Sequence, residues 1–148
     1  MTANAWAVFD VFLAQVGNEL HDLNATDTIK MALIDSGWTP NTATDVTFSV
    51  VDGDELATAF GYTAGGATTV MGWTTSAGTL KCDVADTTWT ANGGAITARF
   101  ALLYNSSAGG TNDLIAYSLL DNTPADVTAA DGVDFKVNIH ASGAFTIS

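Results

Sequence analysis

The sequence predicts a mainly β protein of the α+β kind, an antiparallel β sandwich or open barrel carrying one N-terminal amphipathic helix. Three observations lead there. From Leu56 onward, short runs rich in Thr, Val, Ile and aromatics alternate with glycine-bearing turns. No helical pattern separates those runs, so neighbouring strands should pair antiparallel instead of through crossovers. Apolar residues at steps of three and four are confined to the first part of the chain.

That first part sets Trp6, Phe9, Phe12, Leu13, Val16 and Leu20 against Asp10, Gln15, Asn18 and Glu19. The spacing predicts one helix within residues 1–22, packed by its aromatic face on the sheet or on a neighbouring subunit. The next run, Thr28 to Ile34, alternates Ile29, Met31 and Leu33 with Lys30, Ala32 and Ile34, the period of a strand with at least one buried face. Gly37 to Thr44 reads as a loop, because Pro40 lacks a backbone donor and its Asn and Thr neighbours compete for backbone bonds. Within that loop Trp38 is the one indole expected to be exposed, at a subunit contact or as a stacking platform for a sugar. Asp45 to Leu56 fits a short helix or a strand, with a break at Gly53.

Further strands are expected at Ala57–Tyr62, Ala67–Thr74, Thr79–Val84, Thr87–Thr90, Ala95–Tyr104, Asp113–Leu120, Asp134–His140 and Ala144–Ile147. The dividers are Gly65-Gly66, Ala77-Gly78, Asn92-Gly93-Gly94, Ala108-Gly109-Gly110, Asp131-Gly132 and Ser142-Gly143, with glycine where positive φ is wanted. In Ala95–Tyr104, Ile96, Ala98, Phe100 and Leu102 should share one face, and Arg99, Ala101 and Leu103 the other. Small and apolar residues on both faces suggest a central strand covered on two sides. Arg99, inside that run, is expected to pair with a carboxylate and fix the register. Trp6, Trp73 and Trp89 are expected in the core.

A chain of 148 residues matches a single domain, 1–148, able to bury a core without staples. Cys82 is the lone cysteine, so packing must hold the fold. The start lacks basic residues, and no apolar run approaches the ~20 residues of a membrane helix, so a soluble chain without a general export signal is expected. Sixteen acidic residues face only Lys30, Lys81, Arg99 and Lys136, a formal charge of -12. Nucleic acid and membrane phosphates need cations, so neither is an expected partner. Only Glu19 and Glu55 among the acids are not Asp, and Asp is the residue of turns and caps.

Chemistry is sparse. The two histidines, His21 and His140, accompany no G-x-S-x-G elbow, and Asp83 beside Cys82 should raise the thiol pKa. His21 is better placed to cap the helix C-terminus. Asp52-Gly53-Asp54-Glu55 clusters carboxylates but lacks the spacing of a calcium loop, and reads as a solvated turn. The sequons at Asn24 and Asn105 read as coincidence in a Thr- and Ser-rich chain. No catalytic, cofactor-binding or metal-binding residue is therefore assigned, and no cofactor is expected.

As a whole, the order of an amphipathic N-terminus, TIKMALIDSGWTPN, ELATAFGYTAGG, TTWTANGGAITARFALLYN, LIAYSLLD and DGVDFKVNIHASGAFTIS resembles a family of tailed-bacteriophage virion structural proteins, the capsid decoration or cement proteins. The resemblance covers nearly the whole chain and consists of packing and turn residues. It implies a non-enzymatic viral protein made in the host cytoplasm and displayed on the capsid surface. Its implied partners are the major capsid protein and further copies of itself, as a homotrimer. Another virion position, in the tail, neck or baseplate, and a glycan-binding module are the alternatives.

Overall fold

The computed structural model describes residues 4–18, 21, 26–107 and 111–148. The divider at Ala108–Gly110, the first sequon's Asn24, and Leu20 of the expected helix lie outside them. The fold is mostly β, with several antiparallel sheets and one helix.

Its centre is a five-stranded antiparallel sheet. Strand β2 (Ile29–Ile34) lies between β3 (Ala67–Thr69) and β8 (Phe100–Asn105). Next come β9 (Asp113–Leu119) and, at the edge, β1 (Ala7–Val8). A second sheet of three strands orders β12 (Phe145–Ile147), β5 (Thr79–Val84) and β4 (Met71–Ser76). Two antiparallel pairs complete it: β6 (Thr87–Thr90) with β11 (Asp134–Val137), and β7 (Ile96–Ala98) with β10 (Val127–Ala129).

Two cores follow from the alternation of β2. Ile29, Met31 and Leu33 join Cys82, Trp89, Ile96, Ala98, Leu103 and Phe135 between the large sheet and the smaller ones. On the opposite face Ala32 and Ile34 join Phe9, Trp38, Phe48, Val51, Leu102 and Leu114, closed over by the long segment that follows β2. Strands β2 and β8 are therefore covered on both sides, as the run through Leu102 and Leu103 predicted. The burial is what stabilises them, at about 1.5–3 kcal/mol for each large side chain removed from water.

The faces of the expected strand Ala95–Tyr104 are corrected. It is two strands, broken at Arg99, whose N–H donates to the Ile34 carbonyl while its own carbonyl accepts from Leu120. The break costs one step of alternation, so Ile96 and Ala98 lie in the same core as Ala101 and Leu103, not with Leu102. It also carries the chain from the pair with β10, a strand that the sequence pattern does not predict, into the large sheet. In β9 a bulge pairs Leu103 with Ala116 and Tyr104 with Leu114, leaving Ile115 unopposed, and Ile115 and Ala116 both reach the first core.

The N-terminal helix is shorter than expected. Helix α1 spans Asp10–Val16 and ends at Gly17. The residues before it are extended, since Ala7 and Val8 pair with Tyr117 and Ala116 and the Phe9 N–H donates to the Ile115 carbonyl. An open sheet edge supplied hydrogen bonds that the helical pattern of side chains could not reveal. Trp6 thus reaches the core from an extended segment. Phe9 and Phe12 enter different cores, while Leu13 and Val16 stay exposed.

The expected strand Ala57–Tyr62 is a tight turn: Ala59 and Tyr62 exchange backbone hydrogen bonds around Phe60 and Gly61, both at positive φ. Gly61 is obligatory, because a Cβ there would strike the Thr90 carbonyl. Phe60 stands where Asn or Gly usually does, which is why the turn was missed. The region Asp45 to Leu56 resolves into two 3-10 turns, Phe48–Val50 and Asp52–Asp54. The run Ala67–Thr74 divides at exposed Val70, and Asp134–His140 stops at Val137.

Candidate functional site

Trp38 is buried, at 6 % exposure, which overturns its expected role as an exposed platform. Its indole stacks on Phe9 at 6.4 Å and meets Phe100 and Tyr117 edge-on, each at 5.3 Å. The Nε1–H donates to Asp45 at 3.3 Å, and the same carboxylate accepts the Asn41 N–H at 2.9 Å. Asp45 closes the loop Gly37–Thr44 from the inside and thereby satisfies the one polar atom of the indole. Trp89 is buried as expected and Trp73 partly so.

The acidic turn is part of the scaffold at its last residue. Glu55 Oε1 accepts the Tyr62 hydroxyl and the Gly65 N–H, each at 2.6 Å, and the Tyr62 oxygen accepts the Leu33 N–H at 3.1 Å. Burial, reinforced by Glu55, pushes the Tyr62 hydroxyl well above its ordinary pKa. Among the described residues no three His, Cys, Asp or Glu side chains gather as a metal site would require.

Arg99, partly buried in the break between β7 and β8 and not inside a strand, meets the exposed Asp126 through Nε and Oδ1 at 2.6 Å. Cys82 is fully buried, and that burial, followed by the charge of Asp83, pushes its thiol up to about 12. His140 is exposed and accepts the Ser142 N–H at its Nδ1.

A further polar constellation is one that sequence reasoning missed. His21 does not cap α1; its Nε2 meets Gln15 Oε1 at 2.8 Å and its Nδ1 meets Asn105 Nδ2 at 2.9 Å. Gln15 Nε2 donates to Asp113 Oδ2 at 2.8 Å, and Asn105 Nδ2 donates to Asp27 Oδ2 at 2.6 Å. Asn105 Oδ1 accepts the N–H and the hydroxyl of Ser107. Helix α1, His21, the approach to β2 and the facing ends of β8 and β9 are thus tied together. The available signal was that Asn105 and Asp113 flank a Gly-Gly dipeptide in the sequence; in the structure the two residues lie opposite each other at the ends of β8 and β9.

Large apolar side chains also remain outside both cores: Val70 at 73 %, Val50 and Val133 at 51 % and Phe60 at 49 % exposure. The Phe60 ring lies against Gly94, where any Cβ would overlap it. Beside it runs a groove of about 240 Å³ lined by Leu56, Ala57, Ala59, Ala95, Ile96 and Thr97, without a charged side chain. A larger pocket of about 340 Å³, lined by Trp6, His140, Ala144 and Phe145 among others, also has no Asp, Glu, Lys or Arg in its wall. No helix among the described residues is long and apolar enough to cross a membrane. Comparison with known proteins found no matching family model, no matching curated protein and no matching solved structure.

Proposed function

We propose that the chain is a structural virion protein that decorates and stabilises the outside of a tailed-phage capsid by binding the major capsid protein as a homo-oligomer. The virion assignment is supported by the resemblance of the chain to decoration proteins. The observation that carries a role in assembly is Phe60. A bulky side chain at φ 53, half exposed beside an uncharged groove, keeps backbone strain and apolar surface that an isolated domain would shed. The glycan-binding alternative loses the stacking platform that Trp38 would have supplied, since the indole is buried beneath Phe9, Phe100 and Tyr117.

The test is reconstitution. Purified protein mixed with heads lacking it should form an oligomer by sedimentation and appear on the outer shell by electron microscopy. Phe60→Asn, which relieves the strained φ, should keep the fold and lose occupancy on the heads. A stable monomer that does not bind heads would refute the proposal, and label on tails or baseplates would move it elsewhere in the particle.

A further inference from the structure

We propose that His21 is a pH-operated latch, holding α1 on the large sheet while its imidazole is neutral and releasing it on protonation. The argument begins at Asn105, which is fully buried. Its Oδ1 accepts the Ser107 N–H at 3.0 Å and the Ser107 hydroxyl at 2.8 Å, so the amide is oriented with Nδ2 toward His21 and Asp27. An imidazole nitrogen facing an N–H donor must present its lone pair, so His21 Nδ1 carries no proton. The proton of the neutral ring is then on Nε2, which donates to Gln15 Oε1. That leaves the Gln15 NH2 to donate to Asp113. In these bonds each donor meets an acceptor while the ring is neutral.

A second proton would go to Nδ1 and point at Asn105 Nδ2, setting donor against donor. Flipping the Asn105 amide would answer this, but it would turn Oδ1 away from both Ser107 bonds and take the donor from Asp27. The groups around the ring come from several elements: Phe12 and Gln15 of α1, Asn105 of β8, Asp113 of β9, and Asp27 ahead of β2. The two carboxylates favour protonation. Burial of the ring opposes it more strongly, and the pKa of His21 lies below its ordinary value. Because the folded pKa is the lowered one, the latch is intact above the unfolded pKa of about 6.5 and weakens as pH falls toward the folded value.

Release has a structural consequence because α1 has only seven residues, too few to persist alone. Its Phe12 stacks on Trp73 at 6.3 Å and meets Phe145 edge-on at 5.8 Å, so opening the latch uncovers an aromatic surface of the first core.

The full chain can be titrated by NMR between pH 7.5 and 5.0 while amide exchange is followed. His21 should titrate below 6.5. Protection of the amides of residues 10–16, corrected for intrinsic rates, should fall toward a limit of about tenfold for each unit of that depression. The β8 amides of Ala101 to Tyr104 should not change. His21→Gln should abolish the pH dependence, and His140→Gln should preserve it. A His21 midpoint at or above 6.5 in the unmutated protein, or an acid response retained by His21→Gln, would overturn the proposal.

Discussion

Replacing Trp38 by Ala is the sharpest check on the second core. The side chain is 6 % exposed and has three aromatic neighbours. Truncating a buried aromatic to Ala costs about 3–5 kcal/mol through lost transfer energy and an unfilled cavity. The indole N–H leaves no orphan when removed, since Asp45 keeps the Asn41 N–H, so no further term is added and about 4 kcal/mol is expected. A domain has about 5–15 kcal/mol in all. With a urea slope of about 2 kcal/mol/M, the unfolding midpoint should fall by about 2 M at unchanged slope. Trp38→Phe keeps a ring between Phe9, Phe100 and Tyr117 and should cost about 1–2 kcal/mol. A loss below about 1 kcal/mol for Trp38→Ala would refute the burial and restore the indole as an exposed platform.

Two further outcomes are expected. Gly66 and Gly78 are both at positive φ, but a Cβ on Gly66 would strike the Met31 carbonyl of β2, whereas Gly78 has open space around it. Gly66→Ala should therefore cost about 3 kcal/mol or more and Gly78→Ala about 1 kcal/mol, by denaturant titration; equal costs would contradict the packing of the glycine turn on β2. The Cys82 thiol, buried and pushed up to about 12, should resist a water-soluble disulfide reagent at pH 8 and react at the rate of unfolding. Immediate stoichiometric reaction of the folded protein would show that β5 is not covered as described.

How much of the candidate site could be read beforehand depended on the range of the interaction. The upward direction of the Cys82 shift was legible because Asp83 is its neighbour, whereas the burial that contributes most to it came from packing. The environment of His21 was not legible, since Asn105 and Asp113 lie far along the chain and reach it only when β8 and β9 pair. Trp38 misled for the same reason: its loop was read correctly, but Phe9, Phe100 and Tyr117 arrive from three other elements.

The sequence by itself determined the β class, the helix at one end and the turns that separate the strands at Ala77-Gly78 and Asp131-Gly132, where glycine takes positive φ. It also determined that β2 has at least one buried face, because Ile29, Met31 and Leu33 alternate with Lys30, Ala32 and Ile34; that Ala32 and Ile34 are buried as well was decided by packing. Only the tertiary structure decided that Ala7 and Val8 are extended, that Arg99 interrupts a strand and reverses its faces, and that Phe60 opens a turn. Each of these depends on hydrogen bonds or space supplied by distant backbone: the β9 edge for Ala7 and Val8, the Ile34 carbonyl for Arg99, and the Thr90 carbonyl against Gly61. Side-chain periodicity is a local property and carries no record of which backbone will arrive beside it.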